Sequence, residues 1–171
     1  MTYQQWVEGD VNIWIRKGVT KDHLLQMVSE VQMMEGTLET LQKLKNSGLS
    51  VVMISGGLNF VVENIFRQHL MLFDHIFINK LVYGEGGKII GVKATPYDFN
   101  YKAEGLRHIA EMEGIFTDEC VFVGNGDNDI EAAKTAGLSI AFNPNSPEFT
   151  EVCDVLIEND DLREVLKYIL E

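Results

Sequence analysis

Two short apolar runs constrain this chain more than anything else in it. SVVMIS at residues 50–55 and CVFVG at residues 120–124 are rich in β-branched side chains, and each runs straight into a glycine cluster. A strand with one wet face alternates polar and apolar residues. A continuous apolar run is expected of a strand covered on both faces, as in a parallel sheet. Parallel neighbours in turn need long crossovers, usually helices.

The crossovers are readable too. Thr37 is expected to cap a helix bearing Leu38, Leu41 and Leu44 that stops at Gly48, and residues 58–69 read as the next helix. HIFINKLVYG and KIIGV flank the turn-like GEGG and are expected to form a hairpin. Residues 101–113 read as a helix closed by Gly114, and residues 128–136 as one stopped by Gly137. LSIAF and CDVLI are further strands. Residues 160–170 form a last amphipathic helix, started by Asp160 or Asp161, with Leu162, Val165, Leu166 and Ile169 on its apolar face. Upstream, residues 2–16 fit a helix through Val7, Val11 and Trp14, although VNIWI alone also fits a strand; helix is preferred. Thr20 is expected to cap a helix carrying Leu24, Leu25, Val28 and Val31 on one face. The alternation from residue 37 onward predicts an α/β fold with a mainly parallel sheet. Ligands in such sheets bind beyond the carboxyl ends of the strands. The loops at residues 55–57 and 124–129 are therefore the ones to read for function.

Bulk properties narrow the partners. The chain has 171 residues, about one domain. Its net charge of −12 argues against nucleic acid and against anionic membranes, because phosphate contacts need clustered Lys and Arg. Cys120 and Cys153 stand in no metal or redox spacing, as expected of reduced thiols in a cytoplasmic protein. MTYQQWVEGD has neither the basic nor the apolar region of a signal peptide. No apolar run approaches the roughly 18 residues of a membrane span.

Each loop offers chemistry beside a plain structural role. Ser55-Gly56-Gly57 presents a hydroxyl and bare backbone N–H groups, which suit an oxyanion such as phosphate; the alternative is a turn with Ser55 as helix cap. Lys102 lies in the first turn of its helix, where a cation opposes the helix dipole, so it points at an anion or is a solvated surface lysine. Asp127 and Asp129, with amide oxygens from Asn125 and Asn128, form a hard-oxygen set suited to magnesium; the alternative is an Asn/Asp/Gly turn capping the next helix. The upstream candidate for a partner carboxylate, Asp10-Val11-Asn12, does not follow a buried strand, so it is not expected to supply a nucleophile.

Taken in order, M-x-G-x-x-E-T-x-x-x-L-K near 34–45, VVMISGG, IIG near 89, NYKAEGL, VFVGNGDND, AGLSIAF and DLREVLKYI resemble the haloacid dehalogenase superfamily, in its phosphoserine phosphatase-like branch, over nearly the whole chain. The resemblance implies a Rossmann-like three-layer α/β/α core with a partial helical cap. The expected bounds are 1–33 for the cap segment and 34–171 for the core. It implies phosphoryl transfer to an aspartate and hydrolysis of the aspartyl-phosphate, on a small phosphorylated metabolite and with magnesium. It gives Ser55 and Lys102 catalytic roles, Ser55, Gly56, Lys102 and Asn128 to the phosphate, and Asn125 and Asp129 to the metal, with the same motif ordering the lysine.

Three departures from the family pattern stand out. The D-x-D-x-T segment that supplies nucleophile and acid/base has no match in these residues. Set against the family, the chain begins inside the cap, after that strand. Asn125 stands where the pattern G-D-G-x-N-D has an aspartate, so a weakened magnesium site is expected. The position of the arginine that grips a substrate carboxylate falls on Asp10, which unsettles phosphoserine itself as substrate. Little or no hydrolysis is expected of the chain as it stands. A non-catalytic descendant that binds a phosphorylated ligand or a protein is the alternative. In the family the missing strand lies centrally, between the strands here at 51–55 and 121–124. Its loss is expected to leave apolar strand edges to close on each other, to be filled by residues 11–15, or to be met by a homodimer or a strand-donating partner.

Overall fold

The computed structural model describes residues 2–98 and 101–171. Met1, Phe99 and Asn100, the last of which opens the NYKAEGL motif, lie outside the described residues. The elements in chain order are α1 (Tyr3–Arg16), α2 (Lys21–Met27), α3 (Thr37–Asn46), β1 (Val52–Leu58), α4 (Asn59–Phe66), β2 (His75–Tyr83), β3 (Ile89–Lys93), α5 (Lys102–Glu113), β4 (Val121–Gly124), α6 (Ile130–Ala133), β5 (Leu138–Phe142), α7 (Pro147–Val152), β6 (Val155–Ile157) and α8 (Leu166–Ile169). They form two compact units. One holds the residues up to Met33 with Val51–Pro96, the other Met34–Ser50 with Tyr97–Glu171. Strand pairing is parallel for β1/β2, β4/β5 and β5/β6 and antiparallel for β2/β3, which makes this a Rossmann-like α/β fold with mainly parallel strands.

In the first unit, Thr2 and Gln5 close a reciprocal capping box that starts α1. VNIWI is therefore helix, so residues 11–15 supply no strand, and Asp10 sits mid-helix with Val11 buried beside it. Thr20 heads α2 as expected, its N–H donating to His23 Nδ1. The helix ends at Met27, so Leu24 and Val28 enter the core while Val31 lies beyond it, 47% exposed. The GEGG turn joins β2 and β3 with Gly86 and Gly87 both at positive φ, a conformation that favours glycine. Val7, Val11, Leu24, Val28, Phe60, Leu81, Ile89 and Val92 form one apolar cluster.

In the second unit, Gly36 in the αL conformation is the cap of α3, so Thr37 opens the helix rather than capping it as expected. Gly114 closes α5 in the left-handed conformation, as expected. Three further expectations need correction. Residues 128–136 form a 3₁₀ turn (Asp127–Asp129) and the single turn of α6 rather than one long helix. The C-terminal helix begins as a 3₁₀ turn (Leu162–Val165), because Arg163 is drawn onto Asp161, Glu35 and Glu39 and Leu162 N–H onto Glu35 O. CVFVG is not covered on both faces: Val121 and Val123 are 37% and 39% exposed, while Phe122 packs against Ala133, Ala141 and Phe149. No described helix is long and apolar enough to cross a membrane.

Candidate functional site

The first unit presents the Ser55 loop. β1 pairs with β2 regularly from Val52↔His75 to Ser55↔Ile78, then resumes at Leu58↔Asn79, which leaves Gly56 and Gly57 outside the register. Glycine suits such a bulge because it tolerates both the bend and the close approach. Gly57 N–H donates to Ser55 Oγ at 3.0 Å, and the Gly56 carbonyl accepts from Asn79 Nδ2 at 2.7 Å. Ser55 is not a helix cap, since Leu58 occupies that position for α4. Its oxygen accepts from Gly57, and the hydroxyl keeps its own proton to donate. Sequence reasoning passed over Asn79. Its signal was an amide in the middle of the apolar run HIFINKLVY, where a buried polar group needs partners.

The second unit presents Lys102 and the β4 loop. Lys102 opens α5, and its Nζ donates to Asp129 Oδ1 at 2.7 Å with only 11% of the side chain exposed, so it is no solvated surface lysine. Asp129 Oδ2 accepts from Asn125 N–H at 2.9 Å and Gly126 N–H at 3.2 Å. The loop thus folds around its own carboxylate, and an ammonium has further donors to offer an anion. The fold demands glycine at 124, where a Cβ would stand 2.6 Å from Asp129 Oδ2. Behind the loop, Asn145 N–H donates to Asn125 O at 2.8 Å, and Ser146, which caps α7, donates to Asp127 Oδ1. This support was not legible because the six-residue α7 shows no apolar period. Asn125 and Asn128 are exposed on the same loop. The structure therefore brings Lys102, Asn125, Asn128 and Asp129 into one unit and places Ser55 and Gly56 in the other.

Residues 3–137 match the haloacid dehalogenase-like hydrolases. The chain belongs to that family. Within this hydrolase family its relatives point to the phosphoserine phosphatase-like branch. The phosphoserine phosphatase of Methanocaldococcus jannaschii is 43% identical over 135 residues, 79% of this chain and 63% of the relative. That of Archaeoglobus fulgidus is 33% identical over 147 residues, 85% of this chain and 42% of the relative. A solved phospho-aspartyl intermediate analogue of phosphoserine phosphatase superposes with a TM-score of 0.81 at 36% identity, covering 99% of this chain and 78% of the other. The chain thus spans less than two-thirds of the length of these two curated relatives.

Magnesium, which the family implies, asks for a nearly octahedral set of hard oxygens. Asp129 has both oxygens engaged, Asp127 holds Ser146, and Asn125 offers one neutral carbonyl oxygen. Among the described residues no three His, Cys, Asp or Glu side chains gather to hold a metal. The donors of this loop by themselves do not make a magnesium centre. Burial pushes the Cys120 and Cys153 thiols up, which leaves neither an activated nucleophile.

Proposed function

We propose that this chain is the phosphate-binding part of a phosphomonoester hydrolase of the phosphoserine phosphatase type, directed at a small phosphorylated metabolite. The observation that supports this most is the Lys102–Asp129 pair at the carboxyl end of β4. Asp129, anchored on two backbone N–H groups, holds the ammonium in place without chelating it away from a ligand. Such a fixed cation suits the spread negative charge of a phosphoryl group, which catalysis of this class stabilises mainly by positioning and electrostatics. In the other unit the Ser55 hydroxyl, with the Gly56 backbone beside it, is a donor suited to a phosphate oxygen, and Asn128 is a neutral donor on the same loop as Asp129. Asn125, in place of a carboxylate, weakens any magnesium site built on this loop.

The chain as it stands binds phosphate esters and turns them over very poorly. No D-x-D-x-T segment occurs in its 171 residues to attack phosphorus and protonate the leaving group. Electrostatic groups alone leave only a small residue of catalysis. Titration calorimetry with inorganic phosphate and with phosphoserine tests both halves of the proposal. Saturable binding is expected, weakened about tenfold or more in Lys102→Met, since a charge-assisted hydrogen bond is lost. Phosphate release from phosphoserine, with magnesium present, is expected at the buffer rate. Binding indifferent to Lys102 sinks the phosphate reading. Clear Lys102-dependent turnover sinks the claim that these residues lack a working nucleophile.

A further inference from the structure

Asn79 is a group that the phosphate reading leaves unused, although it is among the most buried polar side chains described, 2% exposed in the middle of β2. Its Nδ2 donates to the Gly56 carbonyl at 2.7 Å and to Tyr3 Oη at 2.8 Å, and its Oδ1 accepts from Thr95 N–H at 2.8 Å. Both amide protons and one carbonyl lone pair are thereby engaged. The bond to Gly56 falls where the β1/β2 ladder breaks, since Asn79 is the residue at which pairing resumes after the two glycines. A side-chain amide therefore replaces the ladder partner that the Gly56 carbonyl has lost.

The Gly56 carbonyl and the Gly57 N–H belong to one rigid peptide group. Asn79 fixes its oxygen end, and its nitrogen end donates to Ser55 Oγ at 3.0 Å. We infer that Asn79 is a positioning residue, which sets the direction of the Ser55 hydroxyl through the Gly56–Gly57 peptide. This rests on Ser55 being a phosphate donor. Without Asn79 the peptide is free to rotate, Ser55 loses its fixed acceptor role, and its proton is no longer aimed. The Thr95 N–H, donating to Oδ1, decides by itself which end of the Asn79 amide faces Gly56, so the direction is transmitted from the segment after β3 and does not depend on the Tyr3 bond.

Phosphate affinity in four full-length variants separates positioning from mere scaffolding. Ser55→Ala and Asn79→Ala are each expected to weaken inorganic phosphate binding about tenfold, the loss of one hydrogen bond to a charged group. The double variant Ser55→Ala/Asn79→Ala is expected to be no weaker than Ser55→Ala alone, because Asn79 acts only through Ser55. Tyr3→Phe, which leaves the Gly56 bond in place, is expected to bind as wild type. Asn79→Ala with lowered stability but unchanged affinity, or additive losses in the double variant, overturns the inference while the Ser55 reading stands. An unchanged affinity in Ser55→Ala overturns both. Should Asn79→Ala not fold, side-chain couplings of Ser55 in the unaltered protein decide: one χ1 rotamer is expected, and averaging over rotamers overturns the inference.

Discussion

The carboxylate of Asp129 accepts three hydrogen bonds, one from the Lys102 ammonium and two from the N–H groups of the loop that leads to it. With 4% of the Asp129 side chain exposed, this pair is deep enough for desolvation to matter. Two charges taken out of water repay the penalty only while they face each other, and removing one strands the other. Lys102→Met is therefore expected to cost about 3 kcal/mol in denaturant unfolding, at the lower end for a broken buried pair because the two backbone donors remain. Adding Asp129→Asn to that background removes the stranded charge and is expected to recover part of the loss. A Lys102→Met chain as stable as wild type would show the pair to be solvated after all. At this scale the sequence spoke partly. The types and spacing of Lys102, Asn125 and Asp129 pointed to an anion or a cation, whereas the ordering of Lys102 by the 124–129 motif came from the family resemblance alone, because a contact between positions 27 apart leaves no local pattern.

Gly137 is required for a different reason from the one its sequence position suggested. It was expected as the stop of a helix, yet α6 ends at Ala133. Its role is proximity. A Cβ at 137 would stand 1.8 Å from the Asp118 carbonyl oxygen, while Gly137 N–H donates to Thr117 O and Cys120 O. Backbone cannot rotate away as a side chain can, so Gly137→Ala is expected to lower stability by about 3 kcal/mol, the upper part of the overpacking range, read as a fall in the denaturant midpoint. A loss near zero would mean that the turn before β4 moves aside freely. The strands and α1, α3 and α5 were legible because periodicity and glycine stops are local signals. The bulge at Gly56 and Gly57 was not, because register depends on which residue of β2 stands opposite. The break-up of the last helix likewise depends on Arg163 meeting Glu35 and Glu39, more than a hundred residues away in sequence.

At the scale of the molecule, two opposed tendencies meet. Each unit has a sheet that ends, among the described residues, in a parallel strand paired on one side: β1 with β2, and β4 with β5. The β4 strand adds Val121 and Val123, both more than a third exposed. Unpaired edges with apolar side chains invite another strand, from a second copy or from a partner that donates one. Against this stands a net charge of −12, which makes any two copies repel. The repulsion is long-ranged and screened by salt, with a Debye length that falls from about 30 Å at 0.01 M to about 8 Å at 0.15 M. Pairing of strand edges is short-ranged and survives screening. Sedimentation is therefore expected to give a nearly monomeric chain at low ionic strength and a weight-average mass that rises with both salt and protein concentration. Val123→Lys, which puts a charge on the exposed strand, is expected to restore the monomer at the same salt, whereas Met71→Lys, at an exposed position outside every strand, is expected to change little. A chain that stays monomeric at every ionic strength would remove the strand edges as an assembly surface.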